Sequence, residues 1–493
     1  MSATRFREGL RAHRGFAIVL AAGLILRLAM LVSYPPAFVS SADALNYLGL
    51  AWQPHFVGVL PDRPSGYPMF LDVLEVFGRR PMLITIVQHL FGLAIGALAY
   101  FVLLRRGVRR WLAAAAAGLL VFDAYALTME HWVLTETLAA FLVVAALCLT
   151  AASERRAWPL ALAGALLAYA VTVHTASLFA IPVWLVYVLW KRRSVRHLVV
   201  GLVPLLAVVL GYMTWHQHVA GTFQITDMHG WFLYARVGQI GTCGDAKVPE
   251  EVQDMCPLMP GAPTDPRTLL WGGSASPAYK VFAGPTQGGL RADGVLGRYA
   301  LAIVLDRPWT YTQMVGRDVL RYFDPTDQSE TGVLMLKDLP TPIPPDHLMM
   351  QQGSMPGYHP TRRAAAGLLS DWSRVDYAVR PLLGLLGALA LGFTLVGIVG
   401  GRWVAVPRRR EEFLFLGAGW LLVVGATATS AFVLRYMLTA VPLLVTGIAF
   451  ALDDAISLSR AEAARSSRAA GSSGTATVPA TAVPAAPRSG SAS

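Results

Sequence analysis

Charge is what this sequence is short of. Only 14% of its 493 residues are Asp, Glu, Lys or Arg, against about 25% in a soluble domain. With 55% hydrophobic residues and a mean hydropathy of +0.50, that shortage excludes an ordinary soluble protein and indicates the membrane class. Cysteine is scarce too: three in the chain are too few for a disulfide-built scaffold. A glycine-rich phosphate loop of the kind that cradles a nucleotide is missing, which argues against a soluble nucleotide donor. The net charge of +11 would suit a nucleic-acid binder. Its distribution argues otherwise, because the basic residues cluster at the ends of apolar runs, and no nucleic-acid partner is expected.

Those apolar runs recur near residues 16–33, 81–104, 111–128, 134–152, 158–173, 177–190, 198–215, 381–399, 413–432 and 437–452. By length they predict about ten spans. Tyr34-Pro35-Pro36 follows the first run in place of a small-residue cleavage site, so that run reads as an uncleaved helix. Arg5, Arg7, Arg11 and Arg14 precede it. Arg105-Arg106 with Arg109-Arg110, Arg155-Arg156, Lys191-Arg192-Arg193 with Arg196, and Arg408-Arg409-Arg410 fall on the same side if ten spans alternate. The positive-inside rule makes that side the cytoplasm, with both termini inside and Arg79-Arg80 as the one exception. The expected fold is an all-α polytopic plasma-membrane protein.

Its organisation follows. Residues 1–215 form an N-terminal membrane module, whose first outward loop is 35–80. Residues 216–380 form an extracytoplasmic α/irregular loop domain between spans seven and eight. Residues 381–452 supply the C-terminal spans, and 453–493 a disordered cytoplasmic tail. Within the loop domain, 222–237 alternates enough to be strand or irregular surface. Cys243 and Cys256 share one polar stretch and close a disulfide in an oxidising exterior, two free thiols being the alternative; Cys148 sits in an apolar run and reads as packing. Residues 297–323 read as an amphipathic helix broken at Pro308, lying on the membrane surface, with Arg317 and Arg321 one turn apart.

The first outward loop concentrates the chemistry. Its sequence SADALNYLGLAWQPHFVGVLPDRPSGYPMF spends about thirty residues where a short link would suffice. Asp43 is the sharpest candidate, as a base or as a first-turn acid with Ser41 as N-cap. A second stretch, FDAYALTMEHWVLTE, brings Asp123, Glu130, His131 and Glu136 into one outward bend. Glu136 also reads as a helix-start acid. Glu130-His131 offers two ligands of mixed type, which leaves a divalent cation open and defines no metal site. His89 follows Gln88 inside the second span and His174 ends the fifth. A lone histidine in such a position is more often a hydrogen-bonded packing residue than a catalyst. Arg27 lies midway in the first span, where its cost demands a partner. Arg435, beside Tyr436, opens the tenth span on the outward side, placed either to snorkel or to hold a phosphate.

These residues resemble a family. Asp43 and Tyr47, followed by Arg63-Pro64-Ser65-Gly66-Tyr67-Pro68, are similar to the phospholipid-carrier-dependent glycosyltransferases of the C-type superfamily, the protein O-mannosyltransferase-like and aminoarabinose transferase-like enzymes. Ser65 stands where the family motif has a second Pro. Gln88-His89, Glu130–Leu138 and Arg435-Tyr436 also look like segments of that family. The resemblance implies transfer of one sugar, with inversion, from a polyprenyl-phosphate donor to an extracytoplasmic acceptor hydroxyl on a glycan, lipid or protein. It places the base or acceptor-orienting acid on Asp43, without the neighbouring Glu of the mannosyltransferases.

The residue chemistry runs beside it. A hydroxyl acceptor needs a carboxylate within hydrogen-bond reach. A lipid phosphate leaves as a stable anion and needs cations, not an acid. Arg63 and Arg435 are the expected donor-phosphate ligands, with Arg317 and Arg321 in reserve. Tyr47, Tyr67, His89, Glu130, His131 and Glu136 are the expected acceptor or sugar contacts, and Trp52, Trp231 and Trp309 stacking or interface aromatics. One carboxylate with arginines differs from a glycosidase pair of carboxylates. A transporter or flippase of a lipid-linked sugar is the alternative, but the chain has no repeated halves and no matched broken helices.

Overall fold

The computed structural model describes residues 13–39, 42–53, 58–153, 156–192, 194–241, 243, 248–324, 363–377, 380–399 and 408–473. Among them are helices and isolated bridges, and no sheet. Ser41, read above as an N-cap, lies outside the described residues.

All ten apolar runs are helical. Six helices are long and apolar enough to cross a bilayer: α1 (Arg14–Ser33), α4 (Pro81–Arg105), α10 (Val195–Ala220), α17 (Arg380–Val399), α18 (Arg409–Thr429) and α19 (Met437–Ser473) with the turn before it. A further apolar stretch is split into α5 (Arg110–Val121) and α6 (Ala124–His131), bent by 47°, long and apolar enough to cross only if the pair is one span. The bend falls at Asp123, whose carboxylate leaves the ladder to accept from the Ala126 amide at 2.7 Å and so caps the second half. Three shorter apolar helices complete the set, α7 (Glu136–Ala152), α8 (Trp158–Val173) and α9 (Ala180–Arg192). The chain is a multi-pass membrane protein.

Packing follows the small residues. α8 crosses α10 where Gly164 meets Gly201; a Cβ on Gly164 would lie 2.0 Å from the Gly201 carbonyl oxygen. Only hydrogen at that point lets the backbones touch. Outward faces are apolar and uncovered: Ile18, Ile25 and Leu28 on α1, Val199, Val203, Leu206 and Leu210 on α10, and Leu382, Leu385, Leu389 and Val396 on α17. Their three- and four-residue spacing puts each set on one helical face, the face a bilayer would cover.

The basic clusters converge at one end of the bundle. Arg106 and Lys191 meet Glu411 at 2.7 and 3.2 Å, Arg109 meets Asp453 at 2.7 Å, and Arg408 pairs with both Asp453 and Asp454. These acids start α18 and lie along α19, so the loops after α4, α9 and α17 are tied to one collar. α19 runs on to Ser473. Residues 453–473, expected to be disordered, are therefore helical; Ala and Arg are strong helix formers and propagate the last span past the collar. Residues 474–493 lie outside the described residues.

A second core forms from residues between α10 and α17. Met228, Trp231, Tyr234, Leu269, Val295, Tyr299 and Ile303 pack together. Within it α11 (His229–Val237) lies on α14 (Pro285–Asp306), so close at Gly230 that a Cβ would fall 1.8 Å from the Asp293 carbonyl oxygen. The possible strand at 222–237 is thus corrected: 229–237 is helix. Trp231, Tyr234 and Ala235 bury one helical face, a period the polar interruptions of the sequence conceal. Two six-residue helices, α12 (Pro266–Trp271) and α13 (Pro277–Phe282), join it. Cys243 and Cys256 are disulfide-bonded, 13 residues apart in sequence. The break at Pro308 is observed: α14 ends at Asp306 and α15 (Pro308–Arg321) begins with that proline, whose missing amide costs nothing in a first turn. One more helix, α16 (Arg363–Tyr377), precedes α17.

Candidate active site

At the end of the bundle opposite the basic collar, two short helices of the opening loop hold the candidate site. α2 (Ala42–Ala51) places Asp43 in its first turn. α3 (Gly66–Glu75) begins with the Gly-Tyr-Pro of the motif. Gly66 sits against α8, where a Cβ would lie 2.4 Å from the Thr172 carbonyl oxygen; the Tyr169 hydroxyl donates to the Gly66 carbonyl at 3.0 Å. The Ser65 amide donates to the Tyr212 hydroxyl of α10 at 2.8 Å. The motif therefore docks its own backbone onto two membrane helices, and this fixes Arg63 two residues earlier.

Asp43 is held from both sides. Arg63 Nη1 donates to its Oδ1 at 2.5 Å and Arg435 Nη2 to its Oδ2 at 2.6 Å. Arg435 comes from Leu434–Tyr436, a single turn just before α19, 392 residues away in sequence. Beyond them the charges continue to alternate: Asp62 accepts from Arg63, and Glu136 lies 3.1 Å from Arg435 Nε. Burial works to raise the Asp43 pKa, but the charges of Arg435 and then Arg63, with their hydrogen bonds, hold the carboxyl down at about 2. Its side chain is 21% exposed and that of Glu136 only 3%. Asp43 is thus the more accessible of the two acids beside Arg435.

Aromatic groups form the floor. The Arg63 guanidinium lies 5.5 Å from the centroid of the Tyr47 ring, which meets Tyr67 edge-on at 5.3 Å. The Tyr67 hydroxyl donates to Gln88 Oε1 at 2.8 Å. Burial pushes both phenols well above their ordinary value, so they stay neutral donors. His174, at the end of α8, stacks edge-on against Tyr436 at 4.9 Å, within electrostatic reach of Glu136, Arg435 and Asp43. His174 and Asp62 are the members that the sequence gives least reason to choose. Asp62 is signalled only by its adjacency to Arg63, and His174 only by ending an apolar run.

His89, Glu130 and His131 gather elsewhere, in a buried chain among α1, α4 and α6. Arg27 finds its partner there, donating to Glu130 Oε1 at 2.7 Å and to the Val121 carbonyl at 2.9 Å. Glu130 Oε2 is 2.7 Å from His89 Nδ1, His89 Nε2 is 3.2 Å from His131 Nδ1, and His131 Nε2 is 2.6 Å from the Tyr34 carbonyl. A carbonyl only accepts, so His131 carries a proton on Nε2. This chain meets the aromatic floor through Gln88, whose amide donates to the Glu130 and Trp132 carbonyls at 2.9 and 2.7 Å. Its histidines and acid are satisfied by one another, which suits support of the site from beneath. Among the described residues no group of three or more His, Cys, Asp or Glu side chains is arranged to hold a metal ion.

A polytopic helical bundle with a two-arginine, one-carboxylate site at one end is the class these observations define. Residues 75–225 match the family Dolichyl-phosphate-mannose-protein mannosyltransferase, which bears out the resemblance read from the motifs. The matched stretch carries His89, Glu130, His131, His174 and Glu136. A search of curated proteins finds no match. Two solved structures are similar. One is the Saccharomyces cerevisiae protein O-mannosyltransferase Pmt1-Pmt2 complex bound to the sugar donor: 18% identity over 48% of this chain and 37% of that chain, TM-score 0.35. The other is ArnT from Cupriavidus metallidurans bound to undecaprenyl phosphate: 14% identity over 88% of this chain and 77% of that one, TM-score 0.35. The match to the yeast structure spans little more than a third of that protein's chain.

Proposed function

We propose that the chain is an integral membrane glycosyltransferase that moves a hexosyl or pentosyl group, with inversion, from a polyprenyl-phosphate donor to an acceptor hydroxyl on the extracytoplasmic side. The observation that carries this reading is the clamp of Arg63 and Arg435 on Asp43. Two guanidinium groups converging on one carboxylate offer the fork geometry a phosphate monoanion also fits. The basic collar at the opposite end supports a cytoplasmic position for that end and for both termini.

In this reading the donor phosphate takes over the two arginines. A carboxylate held at about 2 is a weak base; sharing its cations with a phosphate raises its basicity at the moment a substrate is in place. The acceptor O–H then gives its proton to Asp43 as its oxygen bonds to the sugar anomeric carbon. The bond from that carbon to the phosphate oxygen breaks, and the polyprenyl phosphate leaves as an anion held by Arg63 and Arg435. One displacement at one carbon inverts it. Tyr47 and Tyr67, both buried, pack beneath Arg63 and support the clamp from below.

The test is Asp43→Asn, assayed with a polyprenyl-phosphate sugar and scored by mass spectrometry of the product. Transfer should fall by about 100-fold or more while the protein still inserts and folds. Wild-type turnover in that variant overturns the base assignment. Donor movement with no new glycosidic bond in the wild type would make the chain a transporter instead.

A further inference from the structure

The residues after α18 form a strap that carries Arg435 to the site, and the loop domain grips that strap. α18 ends at Thr429, and Val433 is extended. Midway, Phe432 is buried. The Arg321 guanidinium of α15 lies 4.1 Å from the centroid of its ring, and Tyr322 meets it edge-on at 4.7 Å. Arg321 is itself held: its Nη1 donates to Asp318 Oδ1 at 3.2 Å. Asp318 Oδ2 accepts from Arg236 Nη1 at 2.5 Å, and Arg236, on α11, is fully buried. Tyr311 of α15 adds a hydrogen bond from its hydroxyl to the Ala428 carbonyl at the root of the strap.

We infer that Phe432 is a positioning residue for Arg435, and that the Arg236–Asp318–Arg321 chain sets the arginine's place by fixing that ring. Only two residues, Val433 and Leu434, separate Phe432 from Arg435, too few for the strap to absorb a shift of the ring. Arg435 has its own partners, Asp43 and Glu136, but both are short side chains on other elements. They set where its fork points, not where its backbone starts. A cation over an aromatic face and an aromatic edge on the same ring hold it in depth and in rotation. The buried Arg236–Asp318 pair is costly to form and strongly destabilising to break, which suits an anchor. Arg321 thus acts at one remove from the phosphate instead of binding it.

This inference rests on the reading of Arg435 as a phosphate ligand, and a double-mutant cycle on binding of a polyprenyl phosphate to the detergent-solubilised full chain separates the two. Arg435→Ala should weaken binding at least tenfold. Phe432→Leu should weaken it severalfold, and Phe432→Tyr should restore it. Phe432→Leu placed on Arg435→Ala should add nothing, because the residue acts through the one already removed. Equal loss from Phe432→Leu in both backgrounds, or no loss in either, overturns the positioning role while leaving the phosphate reading intact. No loss on Arg435→Ala overturns the phosphate reading and the inference with it. If Phe432→Leu fails to fold, judged by its thermal transition, Arg321→Gln replaces it in the same cycle with the same expected outcomes, since that side chain is 32% exposed and its loss keeps the ring but removes the cation that holds it.

Discussion

Asp43 is legible in the sequence because an acid in an outward loop, near Arg63 and a Gly-Tyr-Pro turn, has few reasons to be there. What the sequence hides is its state. Nothing in the order of residues says that an arginine 392 positions away will close on the same carboxylate. The consequence is a pH dependence with a definite sign. Asp43 has its folded pKa held at about 2, below the ordinary 3.8. The stability its ion pairs supply is therefore complete above pH 3.8 and is lost only as pH falls toward 2. In kcat/KM, which reports the free enzyme, no acid limb from Asp43 should appear down to about pH 4. In kcat, which reports the donor-bound state, the acid limb should lie at higher pH, because a phosphate now shares the arginines. Coincident limbs in measured pH profiles would mean that the donor leaves the clamp undisturbed. His89, Glu130 and His131 teach the opposite lesson. Their residue types suggest a ligand site, but side-chain polarity is satisfied pair by pair, and only coordinates reveal that Arg27 and the Tyr34 carbonyl complete the set.

Among the elements, the long apolar runs are the most legible, since a bilayer requires length and continuous hydrophobicity and little else. The bend at Asp123 and the short helices α7, α8 and α9 are less so, because a 16-residue apolar helix and a span look alike in sequence. α11 is the clearest error: Trp231 and Tyr234 are one helical step apart on a buried face, yet the polar residues around them imitate alternation. Where helices must approach closely, glycine is the readable mark only after the crossing is known. The α8–α10 crossing makes a prediction at this scale. Gly164→Val should cost about 1–3 kcal/mol by overpacking, because its side chain would meet backbone at Gly201 rather than a flexible group. Thermal unfolding in detergent should register that loss, and Gly211→Val, at an open position on the same pair of helices, should not.

For the molecule as a whole, charge placement carries the reading. The basic clusters predict a common side, and the structure gathers Arg106, Arg109, Lys191 and Arg408 around Glu411, Asp453 and Asp454 at one end. The Arg79 exception is partly neutralised by Glu75, one turn away on the chain, at 2.6 Å. That the acids complete the collar is not legible, since Asp453 and Asp454 look like an ordinary polar end to the last span. Orientation can be tested directly. Single cysteines at Gln313 on α15 and Ser459 on α19, both exposed, should react from opposite sides of intact cells with a membrane-impermeant thiol reagent. Gln313→Cys should label from outside and Ser459→Cys only after permeabilisation. Labelling of both from one side would undo the topology.

The last helix has one property that belongs to neither end alone. It begins at Met437, just after Arg435, and carries Asp453 in the opposite collar, 16 residues further on, or about 24 Å of rise. A rod of fixed length between two charged girdles is a gauge. In a bilayer near that thickness both girdles sit at their own water boundary without tension. In a much thinner or thicker one the rod must tilt, or the lipid must deform around it, and the arginine that grips Asp43 would then be dragged by a mismatch whose origin lies on the far side of the membrane.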